Sequence, residues 1–395
     1  MGSFITNIFL LASVHGFLLA ALLFFKKKNR NANRVLSFAI FILALDLLFV
    51  YSTITEFYKT FPSTFGINFA FPFIYGPIFY LYTKIVTGNE THFRAKHLLH
   101  FIPFVLAHLY VSPFYLLSAQ GKLAQIEIYL NEIQYDLVFI GFLKAVHGII
   151  YTSFSLGLIH RFDKNLRESL SNIDKIKLNW LRFLITGTLI VWIVVALTIL
   201  IPVFVDPSLN IYDSIIYFFI SIFIYAVGYG ALNQPEVFNY HDEKIKLADA
   251  KEETESTGTA KYIKSSLTEV DIERIKTELI DIVEGKKLYL KSDLTLSQLA
   301  EELKASNHNL SEVINTSFNK NFYDFINFYR VEEFKQRIKK PEYDNYSLLA
   351  VAFDSGFSSK TSFNSIFKKY TNTTPSEYKR QMKLQFVLDA ENRHG

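Results

Sequence analysis

Seven long apolar stretches in the first 232 residues limit what this chain can fold into more than any other feature. Each approaches the roughly 20 residues that a helix needs to cross a bilayer. They run over about 3–25, 35–54, 67–87, 99–117, 135–158, 181–203 and 213–232. Residues 1–232 hold 17 Lys/Arg and 11 Asp/Glu, whereas residues 233–395 hold 24 and 26. We therefore predict an all-α protein with a seven-transmembrane-helix domain at 1–232, and a single soluble globule is excluded.

The basic residues of the short loops predict the orientation of these helices. The loops after stretches one, three and five hold twelve Lys/Arg, and the alternate loops hold only Lys59 and Lys122. Short basic loops stay in the cytoplasm. The N-terminus is therefore expected outside, and seven crossings place the C-terminal region in the cytoplasm. The predicted location is the bacterial cytoplasmic (inner) membrane, with the lipid bilayer as a partner.

Five polar side chains are predicted near the middle of the bundle: His15, Asp46, His108, Lys144 and His147. Asp46, His108, Lys144 and His147 are the candidate sensing residues. Charged groups at such depth usually have a partner or a function. Lys144 and His147 share a helix face because they are three residues apart, and Asp46 is the expected counter-ion of Lys144. Two interpretations stay open: a site that senses an unknown signal ligand, proton or membrane partner, or a buried pair that fixes helix packing.

No catalytic or cofactor pattern accompanies these helices. The chain has no Cys, which excludes disulfides, thiolate metal sites and Cys nucleophiles. The patterns H-E-x-x-H, G-x-S-x-G and the Walker loop are also missing from the sequence. We expect a protein that is not an enzyme and that needs no cofactor or metal.

The sequence after residue 232 changes from apolar to polar. Residues 233–266 are predicted to be a cytoplasmic linker, because aromatic and large aliphatic side chains are scarce there. Over residues 267–285, apolar residues at three- and four-residue steps predict a connecting amphipathic helix with an apolar stripe. The stripe is formed by Ile272, Ile275, Leu279 and Ile282. It is expected to pack on the following domain; a contact in a homodimer is the alternative.

Residues 286–381 contain two copies of a helix-turn-helix pattern, and 382–395 are expected to be a C-terminal tail. In the first copy, a helix over 294–303 precedes a second helix that starts at Asn307 with Ser306 as its N-cap. In the second copy, a helix over 347–354 precedes a turn and a second helix for which Ser358 is the expected cap.

The second helix of the second copy has a clear division of its faces. Phe363, Ile366 and Phe367 are expected to point inward. The side chains expected on the outer face are those of Ser359, Lys360, Thr361, Ser362, Asn364, Lys368 and Lys369. A helix over 322–338 is expected to connect the two copies, with Arg330 bracing it.

These motifs resemble the AraC-type tandem helix-turn-helix domain over about residues 286–381. The best match is the second unit, with Ala352-Phe353-Asp354-Ser355-Gly356-Phe357-Ser358, Phe363, Phe367-Lys368-Lys369-Tyr370 and Thr374-Pro375-Ser376-Glu377-Tyr378. In that family each unit presents its second helix to the DNA major groove. The resemblance therefore implies that 307–315 and 359–369 read double-stranded DNA. That family usually has Gly near the first turn, where Lys304-Ala305 stands here, and Asn319 and Asn372 also stand where Gly is usual. Asn accepts a left-handed backbone more readily than most other residues.

The whole chain also resembles bacterial membrane regulators, typical of the Bacteroidetes, in which seven helices precede such a domain. Gly76-Pro77 with Tyr80 and Tyr82 carries part of this likeness, and Ser171-Asn172-Ile173-Asp174-Lys175-Ile176 carries another part.

The expected DNA contacts divide by chemistry. Lysines and helix N-termini bind phosphate, whereas amide, carboxylate and hydroxyl groups reach base edges. The expected phosphate side is formed by Lys320, Lys360, Lys368, Lys369, Lys379 and Arg380, with Ser306, Ser358 and Ser359 at the helix starts. The expected base-edge side chains are Asn307, His308, Asn309, Glu312, Thr361 and Asn364.

The predicted function is that of a membrane-anchored, sequence-specific DNA-binding transcriptional regulator, which couples a signal at or in the membrane domain to gene expression. The alternative is a membrane transporter or receptor whose cytoplasmic domain acts through protein contacts.

Overall fold

The computed structural model describes residues 2–27, 29–90, 92–174, 176–199, 211–232 and 267–394. The predicted linker at 233–266 lies outside this described part, as do Lys28 and Lys175 of the counted basic residues. Within the described part every regular element is helical, apart from one isolated β-bridge between Leu170 and Thr295. The chain separates into two compact units. Unit 1 takes Met1–Arg161 and Leu178–Ser256, and unit 2 takes Phe162–Lys177 and Thr257–Gly395.

The α-helices that lie wholly or mostly in unit 1 are α1 (Gly2–Phe25), α2 (Arg30–Ile54), α3 (Pro72–Val86), α4 (Ile102–Leu116), α5 (Ala119–Asn131), α6 (Tyr135–Ser169), α7 (Asn179–Thr198) and α8 (Ile211–Leu232). Short 3₁₀ helices lie at Phe57–Lys59, Pro62–Thr64 and Ala95–Phe101. The last residues of α6 belong to unit 2.

Five helical segments in the described part are long and apolar enough to cross a bilayer. They are Thr6–Phe25, Arg30–Ile54, Ala95–Leu116, Tyr135–Ser169 and Asn179–Thr198. Ile216–Val227 is a shorter apolar helix. The third predicted stretch forms α3, which has only 15 residues because it begins at Pro72. Proline suits the first turn of a helix, where its missing N–H leaves no intrahelical bond unmade.

Small and hydroxylated residues bring the first two helices of unit 1 together. Ser13 and Ser37 donate to backbone carbonyls of the facing helix, at Ala44 (2.8 Å) and Ala20 (2.6 Å). A Cβ added at Gly16 would lie 2.8 Å from the Cβ of Ala44, which is closer than real Cβ contacts come. Glycine at this position therefore permits the close approach of α1 and α2.

Unit 2 contains seven further α-helices among its described residues. They are α9 (Glu269–Lys286), α10 (Leu296–Glu302), α11 (Asn307–Phe318), α12 (Phe322–Arg337), α13 (Leu348–Asp354), α14 (Lys360–Thr371) and α15 (Pro375–His394). Short 3₁₀ helices lie at Leu288–Leu290 and Pro341–Tyr343. Helix α15 runs through the residues that were expected to be a tail.

The apolar stripe of α9 packs within unit 2. Ile275 and Leu279 are buried in one core cluster with Leu310 and Val313 of α11 and with Phe325 of α12. Ile272 and Ile282 pack against the edge of the same cluster. The stripe thus packs on the first helix-turn-helix unit, in agreement with the expectation that it packs on the following domain.

Candidate nucleic-acid interface

The first helix-turn-helix unit consists of α10 and α11, and its second helix begins where the sequence indicates. The hydroxyl of Ser306 accepts from the backbone N–H of Asn309 at 3.1 Å, which confirms Ser306 as the N-cap of α11. Such a cap satisfies one of the free N–H groups of the first turn. Leu310, Val313 and Ile314 are buried, as their spacing predicts.

The turn of this unit forms without glycine. Lys304 adopts a left-handed backbone with φ 50°. The following Ala305 donates from its N–H to the carbonyl of Ala300 at 3.0 Å, which ends α10. A non-glycine residue in this conformation costs on the order of 1–2 kcal/mol. The turn therefore forms with Lys304 in the left-handed conformation, and its backbone is strained there.

Helix α11 contains no Lys or Arg. His308 is exposed, and its Nε2 lies 3.8 Å from a carboxylate oxygen of Glu312. Asn309 is partly exposed. The amide of Asn307 donates to the hydroxyl of Ser297 at 2.8 Å, so this side chain ties α11 to α10. The ammonium of Lys320, just after the helix, lies 4.9 Å from the ring centroid of Phe328.

The second unit consists of α13 and α14, and its turn contains Gly356 with φ 92°. Helix α14 is capped by Ser359, not by Ser358 as the sequence suggested. The hydroxyl of Ser359 accepts from the N–H of Ser362 at 3.1 Å, and its backbone is extended. The first helical residue is Lys360, so the cap falls one position later than the sequence suggested.

The faces of α14 divide nearly as predicted. Phe363, Ile366 and Phe367 are buried, and the rings of Phe363 and Phe367 pack on Phe334 of α12 with centroids 4.7 and 5.3 Å apart. The expectation that Ser362 lies outward is wrong: it is 8% exposed. Its position four residues before Ile366 puts it on the buried face.

Lysines dominate the exposed face of α14. Lys360 and Lys368 form no ion pair within the described residues, and they border a shallow cleft with Thr361 and Asn364. Lys369 is exposed too, but its ammonium pairs with Asp324 at 2.7 Å. The free positive charge of this face therefore lies at Lys360 and Lys368.

Arg330 braces the centre of unit 2, as the sequence suggested. It is 1% exposed, and burial lowers the pKa of its guanidinium to about 10. Its Nε donates to the carbonyl of Tyr289 at 2.8 Å, and its Nη2 donates to that of Lys291 at 2.7 Å. A buried guanidinium is tolerated only when its donors are satisfied in this way.

The sequence did not reveal that residues 170–174, between α6 and α7, are part of this site. The carbonyl of Ser171 accepts from Arg330 Nη1 at 3.0 Å. Asn172 donates from Nδ2 to the hydroxyl of Ser358 at 2.6 Å, and Ser359 donates to Asp174 Oδ2 at 2.5 Å. Two hydroxyls that were expected to face DNA are thus bonded to this segment. The partners are more than 150 residues apart, so no local pattern could have indicated the contact.

The polar residues of unit 1 come together only in part. Asp46 and Lys144 line one cavity. The carboxylate of Asp46 accepts from Asn68 Nδ2 at 2.6 Å and from the hydroxyl of Tyr75. The ammonium of Lys144 lies 3.4 Å from the ring centroid of Phe69. The expected direct pairing of Asp46 with Lys144 is therefore replaced by neutral partners on each side.

The two histidines lie apart from this cavity lining. The ring of His147 packs against those of Phe73 and Tyr151, with centroids 5.3 and 4.7 Å away. The ring of His108 lies 4.6 Å from that of Phe104. Neither ring nitrogen of His147 has a hydrogen-bond partner in the described part of the chain.

Comparison with known proteins identifies a domain in the C-terminal region. A family profile described as a helix-turn-helix domain matches residues 299–381. Uncharacterized HTH-type transcriptional regulators of Staphylococcus aureus strains COL, MSSA476 and N315 are 33% identical over 93 residues. The aligned part is 24% of this chain and only 12% of each relative. No solved structure matches. The chain thus carries a helix-turn-helix domain at its C-terminal end, as the AraC-type resemblance led us to expect.

Proposed function

We propose that this protein is a membrane-anchored, sequence-specific DNA-binding transcriptional regulator whose activity follows a signal at or in its membrane domain. The observation that carries the proposal is the pair of helix-turn-helix units, each with a second helix that buries one face and exposes polar side chains. An exposed, lysine-rich helix face is suited to phosphate. The partner is double-stranded DNA.

The membrane anchor is supported by apolar side chains that unit 1 leaves uncovered. Leu11, Leu109 and Leu197 are each more than 60% exposed and lie on three different helices of the bundle. Soluble proteins rarely expose apolar surface of this extent. Seven crossings with the N-terminus outside agree with the basic loops. Reporter fusions at the C-terminal end test this directly: a cytoplasmic reporter should be active, and activity of a periplasmic reporter alone would contradict the anchor orientation.

The cavity that Asp46 and Lys144 line is the proposed place where the signal acts. It contains a carboxylate and an ammonium without a direct ion pair between them among the described residues. Lys144→Leu should change the response of a reporter gene while the protein still inserts in the membrane. Lys59→Leu is the matched control, because Lys59 is exposed and, among the residues that the structure describes, pairs only with nearby Glu56. An unchanged response for Lys144→Leu would contradict a sensing role for this lysine and would favour a role in helix packing.

Binding of DNA is tested with the full chain in detergent. The protein is mixed with sheared genomic DNA from its source, retained on resin, and the bound fragments are sequenced. We expect a discrete set of enriched fragments and a steep loss of binding as salt rises. If no fragment is enriched over bulk DNA, the proposed function is wrong.

A further inference from the structure

We propose that residues 170–174 and DNA phosphates compete for the same end of α14, so that this segment holds the second unit off DNA. The inference rests on the proposed DNA binding and concerns its regulation. We call residues 170–174 the docking segment. It belongs to unit 2 although it lies between α6 and α7 in the chain.

The docking segment is anchored at Ser171, which is 1% exposed. Its N–H and hydroxyl donate to the carbonyl of Leu294 at 3.2 and 2.7 Å. Its carbonyl accepts from Asn327 Nδ2 at 3.1 Å and from Arg330 Nη1 at 3.0 Å, and its hydroxyl also accepts from Arg330 Nη2 at 3.0 Å. Hydrogen bonds from a buried charged group are among the stronger ones in proteins. The anchor is therefore a specific binding site for this segment.

The tip of the docking segment lies on the start of α14. Asp174 places its Oδ2 at 2.5 Å from the hydroxyl of Ser359, the N-cap residue, and Asn172 bonds the hydroxyl of neighbouring Ser358. The N-terminus of a helix carries partial positive charge and favours anions such as phosphate. Asp174 thus brings a carboxylate to the position that suits a DNA phosphate.

A carboxylate and a phosphate cannot occupy this position together. Each accepts from the same hydroxyl, and their negative charges repel each other. Lys360 directly follows Ser359 in the sequence. It is exposed and forms no ion pair in the described residues. Asp174 therefore fills the position, and its repulsion of a phosphate is only partly offset by Lys177, whose ammonium lies 3.0 Å from Asp174 Oδ1. The anchor at Ser171 involves neither Ser358 nor Ser359, so the tip can leave α14 while the anchor stays.

The position of the docking segment in the chain connects it to the proposed signal. It is covalently continuous with α6, which ends at Ser169, and with α7, which begins at Asn179. Both helices are candidate membrane spans. A signal that moves either helix changes the hold of the tip on α14 without acting through residues 233–266. The two states are the tip bound to α14 and the tip released from it. The change in free energy between them equals the difference in the signal's binding free energy for the two states.

The first test compares affinities of the full chain for a fluorescein-labelled duplex of about three helical turns. Asp174→Asn should bind this duplex roughly three- to tenfold more tightly than the unaltered protein, since a larger fraction is competent to bind. Glu168→Gln is the matched control: it removes the same charge from the end of α6, where the one ion pair of Glu168 within the described part of the chain is with Lys164, at 3.9 Å. Equal affinities of Asp174→Asn and the unaltered protein would overturn the competition.

The second test uses the absence of cysteine from the sequence. The double variant Asn172→Cys with Ser358→Cys is treated with a short thiol-to-thiol cross-linker, with and without saturating duplex. Without DNA the intramolecular cross-link should form, and saturating duplex should suppress it. The single variant Ser358→Cys identifies the uncross-linked band.

The outcomes of the second test separate the two proposals. A cross-link that forms equally well in saturating duplex would contradict the competition, and a cross-link that fails to form without DNA would contradict the docking. If the chain cross-links normally but binds no duplex at any concentration, the proposed DNA binding fails, and the competition fails with it.

Discussion

The second helices of the two helix-turn-helix units, α11 and α14, both have 12 residues and both bury an apolar face, yet their exposed faces differ in charge. Helix α11 contains Glu312 and no Lys or Arg, whereas α14 contains Lys360, Lys368 and Lys369 and no acid. On the proposed function, attraction to phosphate is therefore expected mainly from the second unit. The first unit offers amide and imidazole side chains, which suit base edges. The docking segment contacts the charged helix, where control of affinity has the larger effect.

The turns of the two units also differ, in the residue that adopts the left-handed backbone. Gly356 takes a left-handed backbone in the second unit, and Lys304 takes one in the first. Glycine adopts this conformation without cost, whereas lysine is strained in it. The second turn is also closely packed, because a Cβ at Gly356 would collide with the carbonyl oxygen of Tyr289 and lie 3.0 Å from Arg330 Nε.

The largest effect is expected for Gly356→Ala. The added methyl group meets the Tyr289 carbonyl, and the backbone conformation becomes unfavourable, so unit 2 should lose about 2–4 kcal/mol of stability. Hydrogen exchange of the α12 and α14 amides, followed by mass spectrometry, measures this loss. Gly285→Ala is the control, because an added Cβ there meets nothing within 4 Å. Equal protection in the two variants would contradict the difference between the turns.

Removal of two lysines from α14 tests the difference in charge. Lys360→Ala with Lys368→Ala should weaken duplex binding by about tenfold or more and lower the slope of log affinity against log salt by about 1.8, since each phosphate contact contributes about 0.9. The measurement is fluorescence anisotropy at a series of salt concentrations. Lys339→Ala with Lys340→Ala, which removes exposed lysines outside α14, should leave the slope unchanged. An unchanged slope in the α14 variant would remove this face from the interface.

Substitution in α11 should have a different and smaller effect. His308→Ala with Asn309→Ala should alter which bases are preferred, by about 1 kcal/mol at the affected positions, and leave the salt slope as it is. Selection of bound sequences from a randomised duplex library measures this preference. A fall of the salt slope without a change in preference would mean that α11 also contacts phosphate.

The smallest effect is expected at the strained turn. Lys304→Gly should stabilise the first unit by about 0.5 kcal/mol, because relief of the left-handed strain exceeds the entropy that glycine adds to the unfolded chain. Hydrogen exchange of α10 and α11 reports the change. Ala305→Gly, in the same turn but without a positive φ, should be slightly destabilising. A loss of protection in Lys304→Gly would show that the turn carries no relievable strain.

Local features of the site follow from sequence because their causes are local. The N-cap at Ser306 and the buried face of α11 depend on residues within a few positions of one another. Asn319 (φ 51°) and Asn372 (φ 57°) adopt left-handed backbones, a conformation that asparagine accepts more readily than most non-glycine residues. The cap of α14 was one residue off, because Ser358 and Ser359 have equal capping chemistry and only the backbone selects Ser359.

Long-range contacts could not be predicted in the same way. The bonds of Asp46 to Asn68 and Tyr75 replace the direct ion pair expected with Lys144, because hydrophobic spacing indicates depth but not which polar groups meet. The contact of Asp174 with Ser359 joins positions 185 apart in the chain. Periodicity contains no information about such pairs.

Hydroxyl-radical footprinting of the full chain on an enriched genomic fragment tests the central claim most directly. If both units read DNA, the footprint should show two protected stretches on one face of the duplex, with centres about 10 base pairs apart. The variant Lys360→Ala with Lys368→Ala should lose protection mainly at one of them. A single protected stretch, or a footprint that this variant leaves unchanged, would contradict an interface formed by α11 and α14.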